Sequence, residues 1–237
     1  RAGCRGLAFD LPGYGRSHKQ ARGWGPERIA REVLDAAQSL NTGPITVVGG
    51  HASAAVAIEM LLAEPQRVVA GVLDGVIALT TEETKALMSA FAGLSPRLQE
   101  SGGHRSFPFD MTCAVMKEWR SDFKLDADSL PAVYELMRDY LETGYDAIKA
   151  FVDPEPGQSA SPRYDVLERL KGVTQPLLVL TADDDALLAA YPRALAKCRN
   201  GQGFKFSGAH PLMDSARSPE YASVITNFAL QRQSGNA

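Results

Sequence analysis

Cysteine is scarce in this sequence. Cys4, Cys113 and Cys198 lie far apart, with no Cys-x-x-Cys pair and no Cys/His spacing of the kind that holds zinc. This argues against a structural metal and for a reducing compartment, so the cytoplasm is the expected location. Long hydrophobic runs are missing as well. The longest, such as Leu177–Leu180, are strand-length, far short of the roughly 18–20 residues of a membrane span. No signal peptide is visible, and no membrane partner is expected. There is no basic run or basic–aromatic stripe: 25 Lys and Arg stand against 28 Asp and Glu, a formal charge of −3. That balance leaves no phosphate-tracking surface, which argues against a nucleic-acid partner. What is present is ordinary globular composition, 45% hydrophobic over 237 residues, enough for one α/β domain or a core with a lid.

Strand-like and helix-like runs alternate along the chain, a pattern that predicts a parallel sheet with crossover helices. Strands are expected near Gly6–Phe9, Ile45–Gly49, Val69–Asp74, Leu177–Thr181 and Phe204–Phe206. In "PERIAREVLDAAQSL" the apolar residues Ile29, Val33, Leu34, Ala37 and Leu40 recur near helical period, and Pro26 suits a first turn. "SAAVAIEMLLAEP" is helical and almost wholly apolar or small, hence buried, and Pro65 ends it. "ALLAAYPRALAKC" and "PEYASVITNFALQ" supply two more helices. The alternation breaks between residues 79 and 161, where amphipathic helical stretches occur without a clear buried strand. The expected organisation is therefore a core made of residues 1–78 and 162–237, with residues 79–161 inserted as a helical lid.

Four motifs occur in order: "GLAFDLPGYGRS", "VVGGHASAAVAIEMLLAEPQRVVAGVLDG", "PLLVLTADDDALL" and "FSGAHPLMDSARSPEYASVITNFAL". Together they resemble the α/β-hydrolase superfamily: a strand and turn of the form D-x-P-G-x-G-x-S, the nucleophile elbow with its helix, the strand that carries the acid, and the loop with the catalytic histidine. The resemblance implies an α/β-hydrolase-like, mostly parallel sheet flanked by helices. It also implies hydrolysis of an ester, lactone, thioester or carbon–carbon bond in a small or medium organic substrate, with no metal or diffusible cofactor.

The apex of the elbow departs from that pattern. In the family a proline follows the nucleophile by about fourteen residues, and fourteen before Pro65 is His51. The helix aligns without a gap only if His51 takes the serine's place, with Gly49 and Ser53 in the flanking small positions. Ser53 is the alternative nucleophile, at the cost of an inserted turn residue. An imidazole at the apex can attack an acyl group. It can instead act as a non-covalent base. Or the site has lost its nucleophile, leaving a ligand-binding protein; a lyase, isomerase or cyclase on the same scaffold is a further alternative.

The resemblance assigns the base to His210 and the acid to Asp185, three residues after the small Ala182, with Asp184 as the alternative acid. It assigns the first oxyanion donor to the backbone N–H of Ala52. Asp183 reads as a solvated loop charge and Asp10 as a turn-forming residue before Pro12 and Gly13. His104 falls in the expected lid. Phe107, Phe109, Met111, Met116 and Trp119 there either line a pocket or form plain core. The opening "RAGCRGLAFD" matches the family's fourth strand. An upstream segment, a partner chain or a rearranged sheet is therefore expected to complete the sheet beside it and to supply the second oxyanion donor.

Overall fold

The structure is a computed structural model that describes residues 4–12, 16–18, 24–80, 82–83, 107–119, 123–134, 137, 164–211 and 215–233. The chain divides into two compact units: residues 1–9, 25–78 and 164–237 form the first, and residues 10–24 and 79–163 the second.

The first unit begins its regular structure with α1 (Pro26–Ser39), followed by β1 (Ile45–Gly50), α2 (Ala52–Ala63) and β2 (Val68–Asp74). In the second unit the described residues include α3 (Phe107–Trp119). The first unit then resumes with α4 (Val166–Leu170), β3 (Leu177–Ala182), α5 (Tyr191–Leu195), β4 (Gly201–Phe206) and, after a 3-10 turn at Ser215–Arg217, α6 (Ser218–Gln233). The four strands form one parallel sheet in the order β1-β2-β3-β4. The two inner strands are almost wholly buried, which is why they read as continuous apolar runs.

Successive residues of a strand face opposite sides of its sheet, and the packing follows that rule. Ala70, Val72, Leu178, Leu180, Ala182 and Phe206 gather with Phe228 of α6 into one cluster, with Tyr221, Val224 and Ile225 packed against it. α2 packs on β1 and β2, and α1 packs on α2 through Ala30, Val33, Leu34 and Ala37. Within α2 one charged residue is buried. Glu59 is 4% exposed, and both its oxygens are answered: Arg169 donates to Oε1 from Nε at 2.7 Å and to Oε2 from Nη2 at 2.6 Å, and the Tyr164 hydroxyl donates to Oε1 at 2.7 Å. A buried carboxylate so paired ties the chain's return at α4 to α2.

Three expectations need correction. Residues 6–9 are not a strand; they have no regular structure, and Leu7 is 38% exposed. A strand exists only where a neighbour completes its ladder, and none lies beside this segment among the described residues. β4 starts earlier than expected, at Gly201, because hydrogen bonds to β3 carry the glycine-containing stretch Gly201–Gly203 that propensity reads as loop. The helix expected over "ALLAAYPRALAKC" shrinks to α5, with Pro192 in its first turn.

In the second unit, Met111 and Met116 of α3 are buried and Phe109 lies 6.3 Å from Tyr134 ring to ring. Asp10 accepts from the Arg16 backbone N–H at 3.0 Å, as a turn-forming residue would. His104 lies outside the described residues. No helix among the described residues is long and apolar enough to cross a membrane.

Candidate functional site

The carboxyl ends of all four strands converge on one set of side chains, as ligand sites do in open parallel sheets. His51 follows β1, Asp74 ends β2, Asp183–Asp185 follow β3, and His210 follows β4. All belong to the first unit.

His51 is the single residue between β1 and α2, with φ 50° and ψ −117°. This is a costly backbone conformation for a residue with a Cβ, by about 1–3 kcal/mol. Three features hold it. Its backbone N–H donates to the Asp74 carbonyl at 2.8 Å. At Gly49 a Cβ would come within 2.9 Å of Ala57 Cβ, so the strand can press this close to α2 only without a side chain there. Ser53 lies in the first turn of α2, where its hydroxyl donates to the Gly50 carbonyl at 2.7 Å and accepts from the Gly50 N–H at 2.9 Å. The apex of the turn is thus a histidine, and the Ser53 hydroxyl is bound up in bracing it. Ala52 opens α2, where first-turn N–H groups have no partner inside the helix.

The His51 ring lies over Gly75, which has φ +55° and where a Cβ would stand 2.7 Å from His51 Nε2 and 3.4 Å from Asp185 Oδ2. The bare backbone of Gly75 is what admits the imidazole.

His210 is 8% exposed. Its ring nitrogen Nε2 is 3.0 Å from Asp74 Oδ1, and the other Asp74 oxygen accepts from the Tyr221 hydroxyl at 2.7 Å. Asp74 itself is 1% exposed. Asp185 has different partners: its Oδ2 accepts from the Thr181 hydroxyl at 3.0 Å and its Oδ1 from the Leu187 N–H at 2.8 Å. Asp184 accepts from the His210 backbone N–H at 2.9 Å, so it holds the loop rather than the ring. Asp183 is exposed, paired with Lys205 and accepting from the Gly208 N–H. The carboxylate hydrogen-bonded to the His210 ring is therefore Asp74, where Asp185 was the expectation. The reason is positional: Asp74, at the end of inner strand β2, meets the ring at 3.0 Å, whereas the oxygens of Asp185 are taken up by Thr181 and the Leu187 N–H.

The two imidazoles are pushed in opposite directions. For His51 burial dominates and lowers the pKa from the ordinary 6.5, with Asp185 and Asp74 opposing and His210 adding to the fall. For His210 burial pulls down too, but the hydrogen bond and charge of Asp74, joined by Asp185 and Asp184, outweigh it and the net shift is upward. Asp74, Asp185 and His210 offer oxygen and nitrogen atoms all within 4.8 Å of one another, a donor set of the kind a divalent cation uses. Both Asp74 oxygens and His210 Nε2 are already engaged in hydrogen bonds within the protein.

Sequence reasoning placed His51, Asp185 and His210 around one site and missed Asp74, Tyr221 and Gly75. The available signal was an Asp at the end of an otherwise apolar strand, "VVAGVLD".

A model of the alpha/beta hydrolase family matches residues 1–224. A search of curated protein sequences gave no significant match. Among solved structures, MenH from S. aureus is similar with a TM-score of 0.72 and 18% identity, over 95% of this chain and 83% of that one. The enol-lactonase from Burkholderia xenovorans LB400 is similar at 0.67 and 14%, over 94% and 78%. Est816, described as an N-acyl homoserine lactone degrading enzyme, is similar at 0.64 and 16%, over 92% and 80%.

Proposed function

The chain belongs to the alpha/beta hydrolase family, and on that premise we propose that it hydrolyses a small or medium organic carbonyl compound by acid–base catalysis from two imidazoles. The supporting observation is the placement of the His51 ring and Asp185 over Gly75, in one cluster with the buried His210–Asp74 pair, a setting that lowers the pKa of His51 and raises that of His210. Two titratable groups driven apart in this way are poised as a base and an acid at the same pH.

In this reading neutral His51 takes a proton from a water molecule, whose oxygen attacks the substrate carbonyl. The backbone N–H of Ala52 donates to the oxyanion that forms. As the tetrahedral species collapses, the bond to the leaving oxygen breaks and protonated His210 gives that oxygen its proton. Return of a proton from His51 to His210 through solvent restores both. Asp74 keeps His210 protonated and oriented, and Asp185 steadies the charge that His51 acquires. Lactones are the first substrates to try, since one similar structure is of an enol-lactonase and another is of an enzyme described as degrading N-acyl homoserine lactones.

The test is a panel of lactones, simple esters and thioesters assayed with wild-type protein, His51→Ala and His210→Ala. Turnover lost in both variants supports the reading; turnover that survives His51→Ala overturns it. A second reading rests on the imidazole apex and on Ser53's commitment to the Gly50 backbone: the same pair moves a proton without hydrolysis, as a lyase, isomerase or cyclase. Deuterium exchange into a carbonyl compound that is not hydrolysed favours it.

A further inference from the structure

Tyr221 sits in the closing-helix motif with no role assigned to it there, yet its hydroxyl reaches the site. It comes from the first turns of α6 and donates to Asp74 Oδ2 at 2.7 Å, while Asp74 Oδ1 meets His210 Nε2 at 3.0 Å. A carboxylate has two oxygens and one soft torsion, so a donor fixed on one oxygen determines where the other points. The tyrosine is itself held. Its ring centre is 5.8 Å from that of Phe206 and 6.0 Å from that of His210, and Phe206 is 5.9 Å from His210. Three rings about 6 Å apart leave the hydroxyl little freedom. Among the described residues, the charged or titratable groups around the His210 ring include Asp74 from β2, Asp184 and Asp185 from the loop after β3, His51 from the turn before α2 and Tyr221 from α6.

We propose that Tyr221 is a positioning residue: its hydroxyl clamps Asp74 so that the carboxylate faces the His210 ring. This deepens the acid–base reading of the site and rests on it for relevance to turnover, but the clamp is measurable without turnover. Its sequence signal is slight, a tyrosine in "SPEYASVITNFAL" at a position that otherwise reads as one apolar face. Burial and the adjoining Asp74 also hold the phenol's pKa well above the ordinary tyrosine value.

The experiment is an NMR titration of the His210 ring in full-length wild-type protein, Tyr221→Phe, Asp74→Asn and the double variant. Phenylalanine keeps the ring wall and removes only the donor. With the clamp gone, Asp74 turns away from the ring, and the His210 pKa falls by about one unit, a tenfold change in protonation. Asp74→Asn produces at least as large a fall, and adding Tyr221→Phe to it changes nothing more, because the hydroxyl acts only through Asp74. A His210 pKa in Tyr221→Phe that is unchanged or higher overturns the proposal, as does a further shift in the double variant. If Tyr221→Phe does not fold, the wild-type phenol decides: an assigned Tyr221 ring-carbon signal that titrates like an exposed tyrosine overturns the clamp, and one still un-ionised at that pH supports it. A protein that turns over nothing but shows the His210 shift keeps the clamp and loses the catalytic reading.

Discussion

The His210 ring and the Asp74 carboxylate, 136 residues apart in the chain, meet at 3.0 Å in the buried floor of the site. Asp185 also lies near that imidazole, with its own carboxylate oxygens accepting from Thr181 and Leu187. The division of labour between the two carboxylates is open to direct test.

Asp74→Asn and Asp185→Asn are expected to differ. Loss of the Asp74 charge releases His210 and lowers kcat by roughly 10²–10⁴-fold, the scale for disabling an oriented imidazole. Asp185→Asn leaves the His210–Asp74 bond in place and acts mainly on His51, with a smaller loss. Parallel kcat measurements on the best substrate of the panel check this. A larger loss in Asp185→Asn would return the acid's role to Asp185.

The pH dependence has a definite sign. His51 must be neutral and its pKa lies below 6.5; His210 must be protonated and its pKa lies above 6.5. The rate profile is therefore a bell with its acid limb below 6.5 and its alkaline limb above. Stability follows the same two groups. His51's contribution is present above 6.5 and is lost as pH falls toward its depressed folded value. That of His210 is complete below 6.5 and is lost as pH rises through its raised folded value. Denaturant midpoints measured from pH 5 to 8 should peak near 6.5 if these two groups dominate the trend. A monotonic rise across that range counts against the His210 assignment.

His51→Ser asks whether the remaining residues can serve an ordinary serine. With His210 in reach as base, the new hydroxyl should react with fluorophosphonate probes roughly 10²-fold faster than the native protein does. Adding His210→Ala should remove that gain. Labelling of native protein at Ser53 would contradict its bracing role at Gly50.

Gly75→Ala should destabilise the protein by about 1–3 kcal/mol, because an L-residue is strained at φ +55° and its Cβ collides with the His51 ring. In a His51→Ala background the collision disappears and the penalty should shrink to the backbone part. Thermal melts of the four proteins in this cycle separate the two contributions.

Much of the fold was legible because buried parallel strands leave a simple trace. Leu177–Leu180 is an unbroken apolar run bounded by Pro176 and by a polar loop, and it folds as β3. The apex was legible through the resemblance to the family's elbow, in which the distance to Pro65 sets the register at His51, the residue that lies between β1 and α2. Residues 6–9 misled for a physical reason: four apolar-rich residues have strand propensity, but pairing is a property of the neighbour. The Asp74–His210 link was hidden because it depends on which of several carboxylates faces a ring after folding. Three consecutive aspartates after β3 drew attention away from a lone one at the end of β2. Tyr221 was hidden for the same reason, its polar tip being invisible in a helix read by periodicity.

The bare backbone at Gly75 also constrains history. Position 75 and position 51 are coupled, since a Cβ at the first meets an imidazole at the second. A lineage carrying alanine at 75 takes up histidine at position 51 at a steric cost that a lineage with glycine there does not bear. The easier order of mutational steps is therefore glycine before histidine. A directed-evolution library that randomises position 51 alone in a relative lacking this glycine would under-sample the imidazole apex.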